Sequence, residues 1–508
     1  MLEHVSYTRN MRWNLLGMVI PILVALFTIP PLIRGLGTER FGLLAIGWLV
    51  MGYFALFDFG LGRATTKFAA EYIARNDLAR LPDLIWNSLA VHAALGLCGT
   101  ALLFALIPWL TGGLFNIPDY LQFEARYVFY LMAISVPLIV IAACLRGMLE
   151  AFLRFDLVNY IKIPANVINY VAPLIVISFT QSLIAVVGVI VACRALVLAA
   201  HVVLCFRVLP SLVSGFRLNP RMIRPLFSFG GWLTVSSLIS PFIMFLDRFF
   251  VATLFTLAAV TFYVTPYEVV TKLWVFSASL LAALFPVFSA MSVEHPHELR
   301  PLCRHAVHYL LFLVAPLVMI ILVFGRELLE VWLGHSFAVE STATAKWLAV
   351  GVLVNVLAQV PYTVLQASGR ADIVAKLQLV QLPFYAALAW WLARIFGATG
   401  IAIAWSLRAV IDAMLLSLTM NRLLPGQSKP LIASNNIYTS CVVFLFLLLS
   451  WIIDSKFRFD AANKVLPFLV VFAAFVLWLW FHLLSQSEHA VLKDWFRQML
   501  KIGTVRDK

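Results

Sequence analysis

Fourteen separate apolar stretches, most of about 20 residues or more, run through this chain, and they leave few ways to fold. A lipid hydrocarbon core about 30 Å thick is crossed by roughly 20 apolar residues in a helix, where every backbone N–H and C=O finds its partner within the segment. The stretches lie at 13–33, 41–62, 84–110, 124–145, 157–179, 183–206, 226–247, 258–290, 305–325, 344–367, 373–393, 398–421, 433–453 and 465–485. They predict an all-α polytopic membrane protein of about 14 transmembrane helices. Composition agrees, since 63% of the 508 residues are hydrophobic and 12% are charged, against about 25% charged in soluble domains. What lies between the stretches is too short for a soluble catalytic or nucleotide-binding domain. The first stretch carries Pro21, Pro30 and Pro31 with no small-residue cleavage site after it, so it is expected to stay attached.

Basic residues fall unevenly between the stretches. Of the 37 Lys and Arg, 24 lie on one side of the predicted spans, including Arg63, Lys67, Arg146, Arg154, Arg217, Arg221, Arg224, Arg370 and the tail after 485. Ten lie on the other: Arg34, Arg40, Arg126, Arg248, Arg326, Lys346, Arg394, Lys456, Arg458 and Lys464. Cytoplasmic loops collect Lys and Arg, so both termini are expected to be cytoplasmic. The net charge of +13 is then matched to anionic lipid headgroups rather than to nucleic acid. Between 63 and 83, Phe68, Tyr72 and Leu78 alternate with Lys67, Glu71, Arg75 and Arg80, a pattern expected of a short helix lying on the inner leaflet.

The chain also repeats itself. Residues 149–163, LEAFLRFDLVNYIKI, align without gaps to 365–379, LQASGRADIVAKLQL, with Arg154 over Arg370 and Asp156 over Asp372. A second anchor sets Arg207, Leu209 and Pro210 against Arg422, Leu424 and Pro425. The offset encloses six spans, an even number, so the copies keep one orientation, as in transporters whose halves are related about the membrane normal. The expected organisation is a six-helix bundle over 1–215, a second over 216–430, and two additional helices with a basic tail over 431–508. Bundles rocking about a central cavity would give alternating access.

Catalytic and metal chemistry lacks a signature. No Gly-Lys-Ser/Thr phosphate loop occurs. The six cysteines, Cys98, Cys144, Cys193, Cys205, Cys303 and Cys441, stand singly, without metal or redox spacing. His295, His297, His305 and His308, with Glu294 and Glu298, flank a Pro-containing loop that reads as solvated. No catalytic residue, metal site or cofactor is expected.

Charges inside spans are the sharper signal, because each costs about 2.5–3.5 kcal/mol at a helix centre and usually faces a cavity or a partner. Glu268 and Lys272 are spaced i,i+4, as are Arg408 and Asp412, so each pair can neutralise itself along one helix face. Arg194 and Asp58 have no local partner in the sequence, and Asp247 and Arg248 close the seventh span, where solvation is equally plausible.

The stretches PPLIRGLGTERFGLLAIG (30–47) and GYFALFDFGLGRATTKFAAEY (52–72), with LFSFGGWLTVSSLI (226–239) and LLAALFPVFSAMS (280–292), resemble polysaccharide-export flippases of the multidrug/oligosaccharidyl-lipid/polysaccharide exporter superfamily. The resemblance implies a non-enzymatic inner-membrane flippase that moves undecaprenyl-diphosphate-linked oligosaccharide to the periplasmic leaflet for O-antigen, capsule or exopolysaccharide synthesis. Its partners would be that lipid-linked oligosaccharide, membrane lipids and a polysaccharide polymerase or other assembly proteins. The alternatives are a cation-coupled drug exporter or peptidoglycan-precursor flippase of the same superfamily, and a membrane polysaccharide polymerase or ligase. An anionic diphosphate would be met by Lys272, Arg194 and Arg408, with Glu268 holding Lys272 when the cavity is empty. Arg154 and Arg370 would border the cytoplasmic mouth. On this reading Glu268→Gln is expected to be milder than Lys272→Ala.

Overall fold

The computed structural model describes residues 7–54, 58, 60–214, 242–243, 245–294, 298–423, 434–457 and 461–482. The beginning of the seventh predicted span, Arg217, Arg221, Arg224, His295, His297, Leu424, Pro425, Lys429, the tail and the expected boundaries at 215 and 430 lie outside the described residues. All regular structure among the described residues is helical. In chain order the helices are α1 (Tyr7–Leu36), α2 (Thr38–Phe54), α3 (Leu61–Ala74), α4 (Leu81–Trp109), α5 (Asp119–Ala151), α6 (Phe155–Ile177) and α7 (Leu183–Val208). After helical residues 245–254 come α8 (Leu257–Val270), α9 (Trp274–Glu294), α10 (Leu299–Leu333), α11 (His335–Ala367), α12 (Ala371–Leu423), α13 (Ser434–Lys456) and α14 (Ala461–His482). Nine helical stretches among the described residues are long and apolar enough to cross a membrane. One of these, Asp372–Leu423, contains two predicted spans, and α12 turns between them at Gly397, φ 63°.

The chain forms two compact units. The first comprises Met1–Lys272 with Ala375–Trp405, and the second Leu273–Val374 with Ser406–Lys508.

In the first unit α5 lies between α4 and α7, α1 packs on α6, and α2 packs on α8. Lipid supplies no hydrophobic force between helices, so close contact is won by small residues. Gly96 of α4 sits so near α5 that a Cβ there would lie 2.7 Å from Pro137 Cα. At one end, Glu124 accepts the N–H of Leu183 at 2.7 Å and the Nε–H of Arg40 at 2.9 Å, joining α5 to the starts of α7 and α2.

Two local features depart from the expected spans. The second span is interrupted before 62, since Gly60 turns the chain at φ 70° and a new helix starts at Leu61. The resulting α3 is not a free surface helix. Leu61, Gly62, Ala64, Thr65 and Ala69 are buried, and α3 packs against α5 and α4. Of the apolar stripe that reads as a leaflet anchor, Phe68 and Tyr72 are half-buried and Leu78 is exposed, while another face of α3 approaches α5 closely at Gly62 and Gly147.

In the second unit α11 packs on α10 and α9, while α13 and α14 pack on each other and on α10. Lys464 is wholly buried and donates to Glu327 Oε1 at 2.6 Å, Asp454 Oδ1 at 2.9 Å and the Val323 carbonyl at 3.2 Å. Lys346, also buried, pairs with the other oxygen of Asp454. Lys346 and Lys464 are therefore not the loop residues that the count of basic residues takes them for.

Candidate functional site

The turns carrying Arg154 and Arg370 are built alike. After α5, Phe152, Leu153 and Arg154 donate their N–H groups to Met148, Glu150 and Leu149; after α11, Ser368, Gly369 and Arg370 donate to Val364, Gln366 and Leu365. The offset of 216 residues seen in the sequence is thus kept bond for bond. The left-handed position is Leu153 (φ 57°) in the first and Gly369 (φ 75°) in the second. Arg154 makes a two-pronged contact with Asp156, both arms 3.0 Å, and Arg370 Nε lies 3.6 Å from Asp372. The Asp156 carboxylate holds the Arg154 guanidinium even more firmly protonated than usual. These pairs are half-exposed and contribute at most about 1 kcal/mol each.

The intramembrane charges of the first unit gather around the last turn of α2. Arg194, on α7, donates to Ser135 Oγ of α5 at 2.8 Å and lies against the Met51 sulfur of α2. Among the described residues both of its hydrogen-bond partners are neutral, and it forms no ion pair. Two residues on, Tyr53 meets Phe242 and Phe245 with ring centroids 5.1 and 5.6 Å apart. Phe245 also fills the space beside Gly52.

Arg248 follows one turn after Phe245 and stacks on Tyr267, 4.0 Å from the ring centre, with Phe245 at 5.4 Å. Its Nη2 lies 3.6 Å from Glu268 Oε1, while Lys272 Nζ donates to Glu268 Oε2 at 3.3 Å. The predicted Glu268–Lys272 pair is present and is part of a larger set. Asp247 is fully buried and accepts the Tyr263 hydroxyl at 2.8 Å. Solvation does not account for Asp247 and Arg248, since Arg248 keeps only 11% of its side chain exposed. An aromatic sleeve of Phe245, Tyr263 and Tyr267 replaces water. Arg and aromatic residues at helical spacing, Phe245 with Arg248 and Tyr263 with Tyr267, are the signal that a search for opposite charges passes over.

Lys272 itself sits in a tight 3₁₀ turn, Thr271–Leu273, between α8 and α9. The eighth span is therefore bent where its lysine stands, as is frequent at functional positions. The predicted site residues separate into two places. Lys272, Glu268 and Arg194 belong to the first unit, with Arg248 and Asp247 added, whereas Arg408 and Asp412 belong to the second. On α12 Arg408 is half-buried and Asp412 buried, and both are engaged in interactions. Among the described residues no three His, Cys, Asp or Glu are grouped to hold a metal ion.

Near α2, then, Arg248 and Lys272 share Glu268 amid aromatic rings with Asp247 beside them, and Arg194 stands apart against Met51 and Ser135. An intramembrane guanidinium so placed can bind an anion.

The sequence profile of the family described as "Polysaccharide biosynthesis protein" matches residues 7–292. A Shigella flexneri protein named "Putative O-antigen transporter" is 29% identical over 420 residues, 82% of this chain and 99% of that one. Among solved structures, an inward-facing multidrug resistance MATE family transporter of the MOP superfamily matches with TM-score 0.67 at 15% identity, over 81% of this chain and 98% of the other. The lipid II flippase MurJ in an inward closed conformation matches with TM-score 0.60 at 15% identity, over 89% and 98%. The helical architecture is that of these transporters, and with more than half its length matched by the profile the chain belongs to the polysaccharide biosynthesis protein family.

Proposed function

We propose that this chain is a flippase carrying a lipid-linked oligosaccharide, anionic at its diphosphate, from the cytoplasmic to the periplasmic leaflet of the bacterial inner membrane for polysaccharide assembly. The observation that carries this reading is Arg194, a guanidinium within the helices whose partners are a hydroxyl and a thioether. A half-buried intramembrane cation that pairs with no carboxylate among the described residues is expensive unless an anion visits it. Phosphate oxygens accept paired N–H bonds from guanidinium, and Lys272 and Arg248 become available if Glu268 shifts between them. Tyr53, half-buried near the end of α2, suits a sugar. The name carried by the Shigella relative supports the same substrate class.

In this proposal 1–215 and 216–430 act as two bundles working by alternating access, joined by the additional 431–508 segment. Both termini are cytoplasmic, and Arg154 and Arg370 lie at the cytoplasmic mouth, supported by the matched turns. Arg408, in the second unit, is a further candidate for binding phosphate. Transport then needs no catalytic step. The competing reading within the superfamily, a cation-coupled drug exporter, calls for an excess of carboxylates, and Asp247 and Glu268 do not outnumber Arg248 and Lys272.

Depletion of the protein should make a lipid-linked oligosaccharide accumulate at the cytoplasmic leaflet while surface polysaccharide disappears. Arg194→Gln should cut export roughly ten- to hundredfold at normal membrane abundance, the worth of one charged hydrogen-bonding contact, with Arg194→Lys between. An unchanged set of surface glycans after depletion would reject the reading.

A further inference from the structure

His92 of α4 is wholly buried, and both of its ring nitrogens face acceptors. Nδ1 is 2.7 Å from the Ser88 carbonyl one turn back, and Nε2 is 2.9 Å from Asp58 Oδ1 in the break between α2 and α3. A carbonyl only accepts, so Nδ1 carries a proton. A neutral imidazole then has a bare lone pair at Nε2, which would face a carboxylate oxygen at hydrogen-bond distance with nothing between them. The contact exists only with one further proton. We place that proton on Nε2, since imidazole is the stronger base of the two, and Asp58 Oδ1 also accepts the Gly62 N–H at 3.1 Å.

The pair stands where the second span is interrupted. Gly60 turns the chain at φ 70°, and a Cβ on Gly62 would lie a tight 3.3 Å from both Asp58 oxygens, so the bare glycine leaves the carboxylate its room over the first turn of α3. Ser88, whose carbonyl takes the His92 proton, is bonded through its hydroxyl to Thr65 of α3 at 2.7 Å. One set of bonds thus joins the break, α3 and α4. From α5 the titratable group facing His92 is the Cys144 thiol, also buried. On α3, Arg63 and Lys67 are exposed, and Lys67 pairs with Glu71. Asp58 keeps 24% of its side chain exposed, which gives a proton a way in.

We infer that His92 and Asp58 form a proton-binding site that pins the α2–α3 break to α4 when occupied and releases it when empty. Losing the proton leaves two acceptors facing each other and removes the reason for them to touch. Met51 and Tyr53, the residues of α2 that meet Arg194 and Phe245, precede Asp58 by seven and five positions, so proton occupancy at Asp58 would act close to them. This site is separate from the substrate reading, and its test uses no substrate.

The full chain, labelled with ¹⁵N-histidine in phosphatidylethanolamine/phosphatidylglycerol nanodiscs, is titrated from pH 6 to 10, with His92 assigned by its loss in His92→Gln. Both ring nitrogens of His92 should be protonated at pH 6 and change to a single N–H in one step. Across the same step, hydrogen-exchange protection of amides 58–66, corrected for the intrinsic rate at each pH, should fall at least tenfold. In Asp58→Asn the ring should hold one proton throughout and the protection should lose its pH dependence. A single ring proton on wild-type His92 at pH 6, constant protection through the step, or an unchanged step in Asp58→Asn would each overturn the proposal.

Discussion

Lys464 Nζ, with no exposed surface, lies 2.6 Å from Glu327 Oε1, and that one contact ties the start of α14 to α10. Removing one partner of a buried ion pair leaves an uncompensated charge and costs about 3–5 kcal/mol. Lys464→Met should therefore lower the thermal midpoint in detergent strongly, measured by tryptophan fluorescence. Adding Glu327→Gln should recover part of the loss, whereas adding Asp454→Asn should deepen it, because Asp454 also neutralises the buried Lys346. Lys456→Met, at a half-exposed position at the end of α13, is the control and should leave the midpoint nearly unchanged. Equal midpoints for Lys464→Met and wild type would show that the pair contributes nothing.

The matched turns make a reciprocal prediction. Leu153 adopts φ 57° where its counterpart is Gly369, and a left-handed backbone costs an L-residue with a Cβ about 1–2 kcal/mol. Leu153→Gly should stabilise the chain by about 1 kcal/mol and Gly369→Leu should destabilise it by at least as much. Opposite signs in paired chemical unfolding curves are the required result.

Close approach of α3 and α5 predicts a steric effect. A Cβ on Gly147 would lie 2.7 Å from the Gly62 carbonyl oxygen and 2.8 Å from Thr66 Oγ1, neither of which has a flexible chain to move aside, whereas Gly112 has nothing within 4 Å. Gly147→Ala should destabilise by about 1–3 kcal/mol, and Gly112→Ala should change stability by less than about 0.5 kcal/mol. Comparable folded yields of the two variants after heating would contradict this.

Glu268 stands between two cations, so its removal is expected to act on membrane abundance and that of Lys272 on export. Glu268→Gln leaves Arg248 and Lys272 facing each other without a carboxylate, while Lys272→Ala still leaves the Arg248–Glu268 contact. Glu268→Gln should reduce membrane abundance more than Lys272→Ala, and Lys272→Ala should lose export at near-normal abundance. Immunoblotting of membranes beside surface polysaccharide staining separates the two effects.

Much of the architecture is legible in the sequence because membrane crossing is a local property. Hydrocarbon thickness fixes how many consecutive apolar residues a span requires, whatever lies elsewhere in the chain. The predicted stretches 84–110 and 183–206 accordingly differ from Leu81–Trp109 and Leu183–Val208 by three residues or fewer at each end. The pair Glu268–Lys272 was likewise legible, since one helical turn brings the two together. Compensation of the other charges is not local. Lys464 reaches Glu327 across 137 positions, Arg40 reaches Glu124 across 84, and His92 reaches Asp58 across 34. No pattern of neighbours along a chain encodes which distant helix will face a given charge. The sequence alone therefore determined how many times and where the chain turns apolar, and from its motifs the family. Only the packing of helices decided which intramembrane charges are neutralised, because a low-dielectric interior forces each charge to find its partner in space rather than in order.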